Sequence, residues 1–177
     1  MALQRLNRIR DAITTIPDFP KPGIYFKDIF PILGNPEVFS ELNEIIYEAS
    51  KSMPQVECVV GLESRGFLFG PILAQKLKVP FVPIRKKGKL PGEVVSQTFE
   101  LEYGTDCFEI QRGSVTKGQK VLIIDDLLAT GGTMKAASDL VTKVGADVVL
   151  CLCIIELLGL KGAKSLDKPF KSLIAFD

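Results

Sequence analysis

The chain has 177 residues, 46% of them apolar and 24% charged, with a net charge of +1. That near-neutral balance argues against a nucleic-acid footprint, and no run of about 18 apolar residues offers a membrane span. Histidine is absent, which excludes Ser-His chemistry and imidazole metal ligation.

A chain of this length buries roughly 70% of its unfolded surface and fits one domain, expected over 1–177. Leu3, Leu6, Ile9, Ile13 and Ile16 recur at helical spacing, so a helix is expected over 2–14. Pro17, Pro20, Pro22 and Pro31 interrupt both helix and ladder, so 17–35 is predicted to be irregular. Further helices are expected over 36–52, 66–77 and 132–144, with a short one near 160–167. Strands are expected over 57–62, 81–85, 94–102, 106–111, 119–125, 147–156 and 170–176. Short apolar runs such as ECVVGL, KVLIID and DVVLCLCII flank helices, as strands of a parallel sheet do. The reading is an α/β, doubly wound, mostly parallel central sheet flanked by helices, which binds ligands at the carboxyl ends of its strands.

Four cysteines are present, Cys58, Cys107, Cys151 and Cys153, with no C-x-x-C pair. Cys151 and Cys153 are expected to be buried as small hydrophobes on one side of a strand, in a reducing cytoplasm.

Three strand ends carry chemistry. Residues 121–134 read VLIIDDLLATGGTM. A buried strand that feeds a Gly- and Thr-rich turn and then a helix makes an anion site, because free N–H groups and the positive helix end both favour phosphate. Thr130 or Thr133 is expected to cap that helix. Asp125 and Asp126 cannot hold the phosphate, since like charges repel. They can accept hydrogen bonds from sugar hydroxyls, or hold a divalent cation through water. Sugar, phosphate and metal together point to a phosphorylated ribose. After ECVVGL comes Glu63-Ser64-Arg65-Gly66, a turn able to bind pyrophosphate through its backbone. After FVPI, Arg85, Lys86, Lys87 and Lys89 suit a mobile loop facing a polyanion. Residues 94–111 alternate around Tyr103-Gly104-Thr105, which predicts a β-hairpin flap turning at those three residues. Glu102 near its tip is a candidate general acid or base if the flap closes over substrate.

VLIIDDLLATGGT resembles the phosphoribosyl pyrophosphate (PRPP) signature of the type I phosphoribosyltransferases. DFPKPGIYFKDI, GLESRGFLFGP, IRKKGKLPG, FELEYGTD and IIELLGLKG follow the pattern of the members that use adenine. The resemblance covers nearly the whole chain. It implies purine salvage, in which adenine and PRPP give AMP and pyrophosphate with Mg²⁺, the metal held mainly through PRPP and water. It also implies a cytoplasmic homodimer with no membrane or nucleic-acid partner. Residues 1–35 would form an N-terminal hood, and 86–108 a flexible loop and hairpin. Asp125 and Asp126 would hold the ribose, and Ala129, Thr130, Gly131, Gly132 and Thr133 the 5′-phosphate. Glu63, Ser64 and Arg65 would form the pyrophosphate turn, with a cis peptide, joined by Arg85 and Lys86, which could reach the pyrophosphate across a dimer interface. Tyr25, Phe26 and Lys27 would read adenine through the backbone, while Ala129 and Leu157 pack on the base. Glu102 would be the acid–base residue, with Tyr103 beside it on the flap. Lys27 and Lys87 stand where the family often has Arg. Members using hypoxanthine, guanine, xanthine or orotate share the signature, and base choice separates them.

Overall fold

The computed structural model describes residues 2–53, 55–101 and 104–177. The chain divides into two compact units, 1–46 and 47–177.

The first unit opens with α1 (Ala2–Ala12), the expected amphipathic helix. Ile9 and Ile13 are buried, and Arg5 and Arg8 each lie 3.5 Å from Glu41. The 17–35 segment departs from its irregular expectation. Strands β1 (Thr14–Pro17) and β2 (Tyr25–Asp28) pair antiparallel, Thr14 opposite Asp28 and Pro17 opposite Tyr25. A one-turn helix, α2 (Phe30–Leu33), follows. The prolines are tolerated because each stands where little is asked of its nitrogen. Pro17 ends an edge strand and Pro31 opens a helix, where the N–H has no intrahelical partner. Between the strands, Asp18 accepts the Gly23 N–H at 2.7 Å and closes the turn. Helix α3 (Pro36–Ser50) begins with Pro36 and is capped by Asn35, whose Oδ1 accepts the N–H groups of Glu37 and Val38 at 3.2 and 3.3 Å. The boundary between the units falls within this helix.

The second unit holds a seven-stranded sheet. Its strands are β3 (Cys58–Leu62), β4 (Phe81–Lys86), β5 (Val94–Leu101), β6 (Gly104–Gln111), β7 (Lys120–Leu128), β8 (Asp147–Leu157) and β9 (Phe170–Phe176). Their order is β5-β6-β4-β3-β7-β8-β9. The five strands β4, β3, β7, β8 and β9 run parallel, and the β5–β6 hairpin adds antiparallel to the β4 edge. Val121 to Ile124 are fully buried, as is all of β3. A parallel strand covered on both faces has no polar side, which is why these runs are continuous rather than alternating.

Two connections are helical. The segment expected as one helix over 66–77 is a 3₁₀ turn, Arg65–Leu68, followed by α4 (Gly70–Leu77). Pro71 near the start of α4 cannot accept a continuous helix from the preceding turn. Helix α5 (Gly132–Lys143) links β7 to β8 and buries Met134, Ala136, Ala137, Leu140 and Val141 against the sheet core. In place of the short helix near 160–167 there are two 3₁₀ turns, Leu158–Leu160 and Gly162–Ser165. In the hairpin, Leu101 pairs with Gly104 and Glu100 with Thr105. Gly104 and Thr105 are therefore strand residues, not part of the turn, because the ladder runs further toward the tip than alternation alone indicates.

From β3 the chain goes to β4 on one side, and β7 lies on the other. The strand order reverses here, and in open α/β sheets the crevice at such a point takes the ligand.

Candidate active site

Two turns meet at that crevice. The first follows β3 and runs through Glu63, Ser64, Arg65 and Gly66, with a cis Glu63–Ser64 peptide. Gly66 is pressed on β7: a side chain there would place its first carbon 2.6 Å from the Ile124 carbonyl oxygen. The second turn follows β7 through Ala129, Thr130 and Gly131 into α5. Gly131 is the cap of that helix, at φ 87, with no side-chain capping hydrogen bond. Thr130 and Thr133 therefore do not cap it. A residue in left-handed conformation already delivers the chain to the helix, and its carbonyl accepts the Lys135 N–H at 2.9 Å. The first N–H groups of any helix lack intrahelical partners, which is the property an anion needs.

The turn is braced from behind by the segment after β8. Ser165 Oγ lies 2.7 Å from the Gly162 carbonyl oxygen and 3.3 Å from that of Thr130. Gly162 has no room for a side chain, because the Ala129 carbonyl and the Gly131 nitrogen occupy the space. Sequence reading passed over Gly162 and Ser165. The only trace was a glycine in IIELLGLKG, and its contact lies about thirty positions upstream.

The expectation that β7 ends at the two carboxylates is corrected. The strand continues to Leu128 because β8 still pairs with it, Asp125 opposite Cys153 and Leu127 opposite Ile155. Pairing with β3 stops at Ile124, so Asp125 and Asp126 stand in a strand with a neighbour on one side only. The Glu63–Gly66 turn crosses at that place. Asp126 is 3% exposed. Its Oδ2 forms an ion pair with Arg65 Nε at 2.8 Å, yet the two are not aligned as a hydrogen bond, which leaves that oxygen without a donor. The Asp126 N–H donates to Asp125 Oδ1 at 2.9 Å. Burial pushes Asp125 above the usual carboxylate range, and the Asp126 charge adds to it. Burial also raises Asp126, opposed by the Arg65 guanidinium. Two neighbouring carboxylates in a poorly hydrated place favour sharing a proton, unless hydroxyl donors or a cation relieve them.

The third component is the cationic stretch at the end of β4. Arg85 Nη2 and Nε donate to Glu63 Oε1 and Oε2 at 3.0 and 3.3 Å, and Arg85 Nη1 donates to the Lys89 carbonyl at 3.1 Å. Lys89 Nζ donates to Glu63 Oε1 at 2.7 Å, and the Lys86 N–H to Oε2 at 3.0 Å. Burial alone would raise Glu63, but the hydrogen bonds from Arg85, Lys89 and Lys86 outweigh it and hold the carboxyl at about 2. Lys86 Nζ reaches Asp106 Oδ2 at 2.9 Å, which lowers the Asp106 carboxyl. Glu109, 5% exposed, accepts the Gly88 N–H at 2.9 Å. Asp106 and Glu109 were not singled out in the sequence, where they look like solvent-facing hairpin charges.

Structure thus brings Glu63, Ser64, Arg65, Asp125, Asp126 and Ala129 to Thr133 to adjoining strand ends, with Arg85 and Lys86 tied to the first turn. Leu157 ends β8, opposite Phe176. Tyr25, Phe26 and Lys27 form β2 of the first unit. Glu102 and Tyr103 lie outside the described residues. Cys151 and Cys153 are buried, as expected, and so is Cys58; all three are unpaired. Burial pushes the Cys58 and Cys151 thiols up to about 11 and about 12, and it also raises Cys153 well above the ordinary thiol range. Such thiols are inert as nucleophiles.

Comparison with known proteins gives this geometry its class. The phosphoribosyl transferase domain model matches residues 31–176. The chain belongs to the phosphoribosyltransferase family, in its adenine phosphoribosyltransferase branch. It is 51% identical to the adenine phosphoribosyltransferase of Drosophila pseudoobscura pseudoobscura, over 99% of this chain and 97% of that one. Among solved structures, the adenine phosphoribosyltransferase of Thermoanaerobacter pseudethanolicus superposes with a TM-score of 0.93 at 47% identity, covering 97% of this chain and 99% of the other. The Saccharomyces cerevisiae enzyme, complexed with an imino-altritol bisphosphate and adenine, superposes at 0.92 with 42% identity and the same coverages.

Proposed function

We propose that this chain transfers the 5-phosphoribosyl group of PRPP to adenine, giving AMP and pyrophosphate, a purine-salvage reaction. One observation carries the reading. Two carboxylates, a glycine turn opening a helix and a turn bound to a cationic loop adjoin at the point where the strand order reverses.

In the reaction the ribose C1–O bond breaks and its electron pair leaves with pyrophosphate. Positive charge develops on the ring. Asp125 and Asp126 accept the ribose hydroxyls and lie near that charge, while the Ala129–Thr133 turn holds the 5′-phosphate. Anchoring both ends meets much of the entropy cost of reaction in advance. Arg85 and Lys86, with the backbone of the Glu63–Arg65 turn, stabilise the leaving group. Adenine N9 then bonds to C1 and loses its proton. Glu102 either takes that proton, or hydrogen-bonds another ring nitrogen while the departing pyrophosphate or water takes it. Ala129 and Leu157 as packing surfaces for the base, and Tyr25, Phe26 and Lys27 as its readers, belong to the same proposal.

Among the described residues no three acidic or cysteine side chains converge into a metal cage. Mg²⁺ would enter carried mainly on PRPP oxygens and water, and Asp125 and Asp126 are the carboxylates that would meet it through water. When bound it would neutralise the diphosphate. A cytoplasmic homodimer completes the proposal, supported by the family resemblance.

The test is pyrophosphate release with adenine, hypoxanthine, guanine, xanthine and orotate, with and without Mg²⁺. Release with adenine and Mg²⁺ alone is expected, and Glu102→Leu should lower kcat by about 10²–10⁴-fold with a smaller effect on PRPP binding. Turnover of another base at the adenine rate would refute the base assignment. Unchanged kcat would remove Glu102 from the chemistry.

A further inference from the structure

The cations assigned above to the leaving diphosphate are already engaged. Arg85 places its Nε–Nη2 fork on Glu63, and its Nη1 on the Lys89 carbonyl. Lys89 Nζ is also on Glu63, Lys86 Nζ is on Asp106, and Glu109 holds the Gly88 N–H between them. Three cations thus face three carboxylates at one end of β4.

A guanidinium recognises a diphosphate best through two parallel N–H donors. Three of the five Arg85 N–H donors are engaged in this arrangement, so presenting the Nε–Nη2 fork to a diphosphate requires releasing Glu63. The Glu63 side chain is 10% exposed, whereas those of Arg85 and Lys89 are 34% and 47% exposed. The cations are therefore the partners that a diphosphate can reach from solvent, and the carboxylate is shielded. Held at about 2, Glu63 stays ionised at neutral pH, so protonation does not relieve the competition.

We infer that Glu63 is a displaceable counter-anion of the pyrophosphate subsite: it holds Arg85 and Lys89 until a diphosphate takes them, and so sets how tightly that product is retained. The inference rests on the proposed function. It makes Glu63 a positioning residue, whose carboxylate opposes diphosphate binding while its backbone belongs to the turn that favours it. Optimised capture would dispense with this acid. A product that must leave gives it a use, because cations held by an internal partner bind their ligand with lower apparent affinity.

The test titrates inorganic pyrophosphate with Mg²⁺ into the AMP-loaded protein and into Glu63→Gln by calorimetry. The amide keeps the side chain's shape and an acceptor for the Lys86 N–H but removes the charge. For partly exposed ion pairs the expected gain is pyrophosphate binding about three- to tenfold tighter, with AMP affinity unchanged. Asp106→Asn, which frees Lys86 from outside the turn, is expected to shift affinity the same way and serves if Glu63→Gln does not fold. Equal or weaker pyrophosphate binding in the folded variants would overturn the inference and leave Glu63 a structural tie. Failure of the unaltered protein to bind either AMP or pyrophosphate is a separate result. It would overturn the phosphoribosyl reading, and this inference with it.

Discussion

Gly131→Ala tests whether the phosphate turn is built by close backbone packing. Gly131 sits at φ 87, a left-handed conformation that costs a residue with a Cβ about 1–2 kcal/mol. The added carbon would overlap Ser165 Oγ and stand 2.5 Å from the Gly162 carbonyl oxygen. The hydroxyl can rotate away, but the carbonyl belongs to a backbone itself wedged against Ala129. Overpacking of that kind costs about 1–3 kcal/mol. Together these give about 2–5 kcal/mol, or a fall in Tm of about 4–20 °C for a chain of this size. The strain is local, so the turn should distort before the sheet does, and the KM for PRPP should rise at least about tenfold for each 1.4 kcal/mol lost there. Gly132→Ala is the control. A carbon at Gly132 would meet only the Glu100 carbonyl oxygen, at 3.8 Å, an ordinary contact. Alanine is the better helix former, so its Tm should stay within about 2 °C. Thermal unfolding and initial rates on both variants decide the matter. A Gly131→Ala protein as stable and as tight for PRPP as Gly132→Ala would refute the packing argument.

Asp126→Asn removes a buried charge that faces Arg65 and keeps the shape. Calorimetry should show weaker PRPP binding, and unchanged affinity would remove Asp126 from the ribose site. The acid branch of stability supplies another check. Glu63 is held at about 2 against an ordinary value of 4.5, so the folded chain gives up this proton more readily than the unfolded one. Its pairing stabilises fully above about 4.5 and is lost as pH falls toward about 2. Asp125 and Asp126, both raised, act in the opposite sense at higher pH, so the contribution must be read as a difference between the chain and Glu63→Gln. Denaturant unfolding at pH 6 and at pH 3 should show that difference shrinking at the lower pH. A difference independent of pH would mean that the network does not hold Glu63 ionised.

Much of the site was legible because it is local. VLIIDDLLATGGT carries its strand, acids, turn and helix start in thirteen consecutive residues, and each follows from residue type: β-branched runs form buried strands, glycine admits a positive φ, and a helix start attracts anions. The parallel sheet was legible for the same reason, since strands covered on both faces must be apolar throughout. The prolines of 17–35 misled because a proline excludes only the interior of a ladder or helix, and strand ends and helix starts escape that exclusion.

What only the tertiary structure decided is pairing across distance. Nothing near Asp125 tells that β8 carries β7 on to Leu128, or that pairing with β3 stops at Ile124 and leaves room for the turn that brings Arg65. Glu63 in sequence is one acid of a polar turn; its partners lie 22 and 26 positions away, and they alone make it the counter-ion of the cationic loop. Likewise Gly162 and Ser165 acquire their task as the back wall of the phosphate turn from a contact that spans two strand ends. Local chemistry is written in consecutive residues because backbone preference acts over a few bonds. Charge balance and close packing act through space, and only folding determines which residues share it.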